Sequence, residues 1–194
     1  MSLSRRDALA ILSGANKLQV DPGAFAGLME LESGINPNIW GGAGGQYRGL
    51  IQFGPGARQE VGLPSGDMTI EQQMPYVLKY FEQRGFKPGE HDETALYRTV
   101  LVGNPYQSGT DSFGTNSDAA ARRMMAGGDL YNRGKAKLEA GLGQSLGDTS
   151  MSIRQVDAPP PAVEEPEQNV VDRFAGTGPI GTAVKGVLQS LGFN

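Results

Sequence analysis

The chain has 194 residues, a formal net charge of −4 and 38% hydrophobic residues, which is enough for one well-buried domain plus an extra segment. It has no cysteine and one histidine, His91, so disulfides, thiol catalysis and Cys- or His-rich metal sites are excluded, and we expect His91 to be a solvated loop residue. Without a basic patch or an apolar run of about 20 residues, neither nucleic acid nor a membrane span is expected.

The first predicted element is a helix from Ser4 to Leu12. Ser4 is a suitable N-cap, and Asp7 occupies the acidic position of a capping box. The sequence from Ser13 to Asn16 contains Gly14 and is expected to end the helix. No long apolar core follows the arginines at the N-terminus, so we expect no signal peptide.

The second predicted helix begins behind Asp21-Pro22 and ends at Gly34, because aspartate caps a helix and proline tolerates the first helical position. At about 100° per residue, Glu32 falls within its apolar stripe and Glu30 projects to the opposite side. The stripe consists of Phe25, Leu28 and Met29.

A carboxylate on a face that should be buried is costly unless it is neutralised or faces a cleft. Desolvation would raise the pKa of Glu32, as a general acid working near neutral pH requires. The alternative is a helix-end glutamate that pairs with an arginine or caps a neighbouring helix. Four other carboxylates are interpreted as solvated or capping groups and are therefore not expected to be catalytic: Glu30, Glu60, Asp67 and Glu71.

Residues 36–56 are rich in glycine and aromatic residues. They lack the Gly-Lys-Ser/Thr ending of a phosphate loop. We expect an ordered loop or short β-hairpin that lines a groove, with a flexible surface loop as the alternative. Three aromatic side chains would either stack on sugar rings or pack in the core: Trp40, Tyr47 and Phe53.

The later periodic segments are all helical, which predicts a mainly α fold. A capping box at Thr69 and Gln72 opens one helix that closes before Gly85. Three more helices are expected at 94–102, 117–125 and 131–138. Residues 106–116 form a polar, glycine-rich loop long enough to have a functional role.

The composition changes after Gly143, so the predicted domain comprises residues 1–143. Residues 144–169 are rich in proline and glutamate and are expected to form an extended linker. Residues 170–194 form the last segment, and four of its apolar residues recur at helical spacing: Val184, Val187, Leu188 and Leu191. We expect residues 170–193 to bind a protein partner or dock back on the domain.

Two motifs resemble those of soluble lytic transglycosylases and goose-type lysozymes. Glu32-Ser33-Gly34-Ile35-Asn36-Pro37 is similar to the family's Glu-Ser-x-x-Asn-Pro. Gly49-Leu50-Ile51-Gln52-Phe53-Gly54-Pro55-Gly56 is similar to Gly-Leu-Met-Gln-x-Met-Pro-Gly. The resemblance covers roughly residues 20–140, with clear motif matches only in residues 28–56, and it implies a lysozyme-like helical domain.

The resemblance also implies roles for individual residues. Glu32 matches the catalytic acid/base, Ser33 the neighbouring serine and Gln52 the glutamine that lines the cleft. The nearest candidates for the family's Ala-Tyr-Asn-Ala-Gly motif are Tyr97 and Asn104, although neither has the family's spacing.

The implied reaction is cleavage of the MurNAc-β-1,4-GlcNAc bond in peptidoglycan, with no metal or cofactor. A lytic transglycosylase manages with one glutamate, because its substrate supplies an acetamido group and a 6-hydroxyl, whereas hydrolases usually add a second carboxylate. The alternatives are a lysozyme-type hydrolase and a non-catalytic adaptor that only binds glycan or a partner. The expected setting is a bacteriophage tail or baseplate component in the virion, acting on the host cell wall.

Overall fold

The computed structural model describes residues 2–42 and 44–147. Within this part of the chain there are seven helices and one two-stranded sheet, which confirms the mainly α prediction. The helices are α1 (Arg5–Leu18), α2 (Pro22–Ser33), α3 (Pro55–Val61), α4 (Ile70–Gln83), α5 (Glu93–Val102), α6 (Ser117–Met124) and α7 (Asp129–Leu142). The strands are β1 (Trp40–Gly41) and β2 (Tyr47–Arg48). The segment predicted as a linker lies outside the described residues except for 144–147, and residues 170–194 lie wholly outside them.

Helix α1 continues past the predicted break. Ser4 caps it as expected, but the helix runs on through Gly14 to Leu18. Gly14 is buried, and a Cβ there would lie 2.6 Å from the sulfur of Met74. The glycine therefore permits close packing of α1 on α4, and it does not end the helix.

Helix α2 is the central element of the fold. Asp21 caps its N-terminus, and Gly34 ends it with a φ of 63°. Every residue from Gly23 to Met29 is buried, so the helix is enclosed on all sides rather than along one stripe. It crosses α7 so closely that a Cβ on Gly134 would lie 2.4 Å from the backbone nitrogen of Gly27. This backbone contact fixes the direction in which the last turn of α2 points.

The glycine-rich segment forms the predicted hairpin. Strands β1 and β2 are antiparallel, with Trp40 opposite Arg48 and Gly41 opposite Tyr47. A second turn follows at once, in which Arg48 and Phe53 exchange both backbone hydrogen bonds, at 3.1 and 2.8 Å. Gln52 lies within that turn and adopts a φ of 51°.

Helix α3 was not predicted, and its first residues lie at the end of the segment expected to be a loop or hairpin. Gly54 is instead the N-cap and Pro55 the first helical residue, a position where proline needs no hydrogen-bond donor. The helix is only 7 residues long. It forms one wall of the region around Gln52.

The remaining helices follow the predictions closely. Thr69 and Gln72 form the full capping box of α4, and Asp92 caps α5. Helix α7 begins earlier and ends later than the predicted 131–138. His91 lies in the predicted turn but is not simply solvated, since its ring packs against Phe86 and Tyr106 at centroid distances of 5.2 and 4.8 Å.

None of the helices in residues 2–42 and 44–147 combines the length and apolar character that crossing a membrane requires.

Candidate active site

Glu32 lies in the last turn of α2, just before Gly34 ends the helix. Its side chain is largely enclosed, and burial raises the pKa of its carboxyl from the ordinary 4.5 to about 7. Desolvation is the largest cause, because the charged form loses water that the protein replaces only in part. At neutral pH a substantial fraction of Glu32 therefore carries a proton that it can donate.

Tyr97 is the hydrogen-bond partner of Glu32. It projects from α5 and is only 2% exposed. Its hydroxyl donates to the Glu32 carboxylate, which lowers the pKa of Glu32 and offsets part of the effect of burial. The pKa of Tyr97 is raised well above its usual range by burial and by the nearby negative charge of Glu32. Tyr97 is thus a neutral donor beside Glu32.

Asp111 is a second carboxylate near Glu32 that sequence reasoning missed. It lies in the loop between α5 and α6, and its negative charge raises the pKa values of both Glu32 and Tyr97. The backbone N–H groups of Phe113 and Thr115 donate to its Oδ1 at 2.9 and 2.7 Å. The only signal in the sequence was the length and polarity of residues 106–116, which did not single out one side chain.

The rejected carboxylates all pair with basic side chains. Glu30 accepts a 2.6 Å hydrogen bond from the Lys137 ammonium, and its side chain is 12% exposed. It is therefore held against α7, and the prediction that helical phase turns it towards solvent is wrong. The other three pairs are Glu60–Arg84, Asp67–Arg48 and Glu71–Arg6. No basic side chain in the described part of the chain pairs with Glu32, so burial has the largest effect on its pKa.

Ser33 joins the two motifs. It is buried, and its hydroxyl lies 3.0 Å from the carbonyl oxygen of Met29 and 3.1 Å from that of Leu50. It also accepts a hydrogen bond from the backbone N–H of Asn36. These contacts attach the end of α2 to the segment that carries Gln52, so Ser33 positions the two motifs relative to each other.

Gln73, which the sequence did not single out, reinforces this junction from α4. Its side chain is fully buried. Its Oε1 accepts a 2.7 Å hydrogen bond from the backbone N–H of Leu50, and its Nε2 donates to the carbonyl of Pro37 at 2.8 Å. One side chain thereby holds both motif segments. The available signal in the sequence was that Gln73 shares helical spacing with the apolar residues Ile70 and Val77.

Gln52 and Tyr47 face a cavity of about 510 Å³. The amide of Gln52 donates to the carbonyl of Gly49 at 3.1 Å and lies where a Cβ on Gly41 would be. Tyr47 is 39% exposed and its ring covers Gly42. Tyr80 lines the same cavity. Burial raises the pKa of its hydroxyl, and the charge of Glu32 adds a smaller increase. Glu32 itself does not line the cavity, but it is electrostatically coupled to its wall.

The other candidates take separate positions. Phe53 is buried and packs edge-on against Tyr80 at 5.8 Å, so it belongs to the core. Trp40 is 49% exposed. Asn104 lies in the turn after α5, where its Oδ1 accepts the backbone N–H of Tyr106. Its described contacts are with this turn and do not bring it to Glu32.

The described residues contain no group of three or more His, Asp or Glu side chains that could hold a metal ion. The arrangement around Glu32 suits proton transfer, because a carboxyl with a pKa near neutral pH lies beside a neutral donor and a second acid.

Comparisons of this chain with protein-family models, with curated proteins and with solved structures find no match.

Proposed function

We propose that this protein is a peptidoglycan lytic transglycosylase in which Glu32 is the sole acid/base. The observation that carries the proposal is the state of Glu32. It is a largely enclosed carboxyl without a basic partner, and burial raises its pKa to about 7. A general acid works best when its pKa lies near the operating pH.

The residues support a two-step use of this acid. Glu32 first donates its proton to the glycosidic oxygen as the bond between that oxygen and C1 of MurNAc breaks, while the acetamido oxygen of MurNAc bonds to C1. The Glu32 carboxylate then takes the proton of the 6-hydroxyl, whose oxygen displaces the acetamido oxygen and leaves a 1,6-anhydro product. The Tyr97 hydroxyl favours the ionised form between these steps, since it hydrogen bonds to the carboxylate.

The cavity beside Tyr47 and Gln52 supports the assignment of a glycan substrate. A half-exposed tyrosine ring provides an apolar face on which a sugar can stack. Gln52 provides an amide within the same cavity for hydrogen bonds to sugar hydroxyls. We assign both residues to substrate binding, with the glycan running past the end of α2.

A lysozyme-type hydrolase is the second candidate, and Asp111 is the observation that favours it. Glycoside hydrolases generally use a pair of carboxylates, of which one donates a proton and the other activates water or attacks C1. Asp111 is close enough to raise the pKa of Glu32. The two candidates differ in their products, because hydrolysis leaves reducing muramic ends.

Product analysis distinguishes them. The full chain is incubated with purified peptidoglycan, and the soluble fragments are analysed by mass spectrometry. We expect 1,6-anhydromuramic ends and a loss of rate of about 10²–10⁴-fold in Glu32→Gln. The control is Glu71→Gln, which makes the same chemical change at a carboxylate whose side chain is 54% exposed.

Two results would contradict the proposal. Reducing muramic ends would establish the hydrolase. A folded wild-type chain that binds glycan without cleaving it would establish the non-catalytic adaptor. The proposed setting, a phage tail or baseplate component acting on the host wall, depends on residues 170–193 and is tested separately below.

A further inference from the structure

We propose that the face of the hairpin opposite Tyr47 holds a second binding site, which takes a carboxylate of the peptide stem on the same glycan. The site is a cavity of about 490 Å³ with Trp40, Arg48 and Arg58 in its lining. The inference depends on the proposed substrate. It deepens that proposal by assigning a residue that would distinguish stem-bearing from bare glycan.

The hairpin separates this cavity from the one beside Gln52. Directly paired residues of antiparallel strands project from the same face, and successive residues project from opposite faces. Trp40 pairs with Arg48, and both line the second cavity, whereas Tyr47 lines the first. Helix α3 divides in the same way, since Ala57 lines the first cavity and Arg58 the second.

Arg58 supplies a positive charge that the described residues leave without an acidic partner. Its guanidinium lies 4.8 Å from the centroid of the Trp40 ring, and no ion pair forms on it within residues 2–42 and 44–147. The other arginine is already engaged. Arg48 is 1% exposed, lies 5.1 Å from the same ring and donates to the carbonyls of Pro64, Ser65 and Gly66.

The buried Arg48 strengthens the case for an anion. Its nearest carboxylate is Asp67, at 3.4 Å and 87% exposed, and its Nε is buried without a hydrogen-bond partner. The positive charges of the two guanidinium groups that contact the Trp40 indole are therefore balanced by one solvated carboxylate, that of Asp67. A neutral sugar would need neither guanidinium group. A carboxylate would form a hydrogen-bonded ion pair with Arg58 and would be attracted by the positive charges of both Arg58 and Arg48.

The peptide stem is the occupant that fits this chemistry. A stem leaves the sugar through the lactyl group, sideways from the glycan axis, and carries both methyl groups and carboxylates. The lining of the second cavity also includes Leu63 and Pro64, which provide apolar contacts for such methyl groups. Tyr47 and Arg48 are adjacent in β2 and face the two different cavities, so a stem that passes over the hairpin would move from one to the other.

The test measures binding without turnover. The full chain carrying Glu32→Gln is titrated calorimetrically with a GlcNAc–MurNAc tetrasaccharide whose stems are alanyl-glutamate with both carboxyls free, and with the same compound with both carboxyls amidated. We expect amidation to weaken binding roughly tenfold, as for loss of a charge-assisted hydrogen bond. We expect Arg58→Gln to remove that difference and Arg58→Lys to restore part of it.

The matched control is Arg5→Gln, since Arg5 is an exposed arginine of α1 that lines neither cavity. Equal affinities for the free and amidated stems in the Arg58-containing chain would overturn the inference. So would a preference that survives Arg58→Gln, or tight binding of chitotetraose that depends on Arg58, because the cavity would then hold a sugar. These outcomes concern binding, so they differ from failure of the proposed reaction, which would appear as an uncleaved substrate in the wild-type chain.

Discussion

Glu32 and Glu30 lie two residues apart on α2, and both side chains are largely enclosed. Glu30 is neutralised by the Lys137 ammonium at 2.6 Å, whereas Glu32 faces the neutral hydroxyl of Tyr97. The sequence singled out Glu32 through its motif, and its side chain is enclosed in the fold. The helical-phase argument against Glu30 failed because α2 is buried on all sides, and the pairing with α7 was not visible in the sequence.

The two glutamates should have opposite effects on stability. The folded-state pKa of Glu32 is raised from 4.5 to about 7, so the folded protein binds this proton more tightly than the unfolded chain does. The free energy of unfolding therefore falls as pH rises through this window, by up to about 3 kcal/mol. Glu32→Gln should remove that decline, making the variant more stable than wild type at pH 8 and similar to it at pH 4.

Glu30→Gln is the matched comparison. It leaves the partly buried ammonium of Lys137 without its carboxylate and should cost about 1.5–3 kcal/mol at neutral pH. Urea unfolding of the three proteins at pH 4, 6 and 8 measures both effects. A wild-type stability that does not fall between pH 4 and 8 would contradict the account of Glu32.

Tyr97 and Asp111 should move the pH dependence of activity in opposite directions. The alkaline limb of the rate profile reports loss of the proton from Glu32. The Tyr97 hydrogen bond lowers the pKa of Glu32 and the charge of Asp111 raises it. We therefore expect the limb to shift to higher pH in Tyr97→Phe and to lower pH in Asp111→Asn.

The measurement is the rate of peptidoglycan solubilisation from pH 4 to pH 10. Glu90→Gln serves as the control, because Glu90 is an exposed partner of Lys87 and does not perturb Glu32. Shifts of both variants in the same direction would show that the limb does not report Glu32. A large loss of maximal rate in Asp111→Asn would favour the hydrolase.

At the scale of elements, the caps were predictable and the close contacts were not. The cap of α2 at Asp21 and the capping box of α4 were correct because they depend on neighbours in sequence. The predicted break at Gly14 was wrong and helix α3 was missed, because a glycine can permit tight packing or precede a helix as readily as it ends one. Only the partner helix decides between these roles.

Gln73 is the clearest case of an element-level contact with consequences for the site. Gln73→Leu leaves the backbone N–H of Leu50 and the carbonyl of Pro37 unpaired in a buried position. Each such group costs about 1–3 kcal/mol, so we expect a loss of roughly 2–6 kcal/mol in the free energy of unfolding. Activity should fall further than stability alone explains, since the two segments that carry Glu32 and Gln52 lose their common anchor.

Gln83→Leu provides the control on the same helix. Gln83 is exposed, and a surface substitution of this kind changes stability by about 0.5 kcal/mol or less. Denaturant unfolding and initial rates on peptidoglycan at a temperature where both variants are folded measure the two effects. If Gln73→Leu is as stable and active as Gln83→Leu, the junction is not held by this side chain.

The described helices account for a proton donor and two cavities, but they do not bear on the proposed virion setting. That proposal depends on residues 170–193, which lie outside the described part. Four apolar residues at helical spacing form a stripe that a segment of this length cannot bury alone. A stripe of this kind is suited to docking in a groove of another protein.

Removing this segment should separate catalysis from assembly. We expect deletion of residues 170–193 to leave the rate on purified peptidoglycan within about twofold of wild type, since every residue placed in the site lies before residue 112. The same deletion should abolish recovery of the chain in the particle fraction of a density gradient.

Replacing Val187, Leu188 and Leu191 together by serine should reproduce that loss at full length, because the stripe is removed and the chain is not shortened. The paired substitution of Lys185 and Gln189 by serine, outside the stripe, should leave incorporation unchanged. Incorporation of the deletion variant at the wild-type level would refute the assembly role and leave the chemistry at Glu32 to be judged by its products alone.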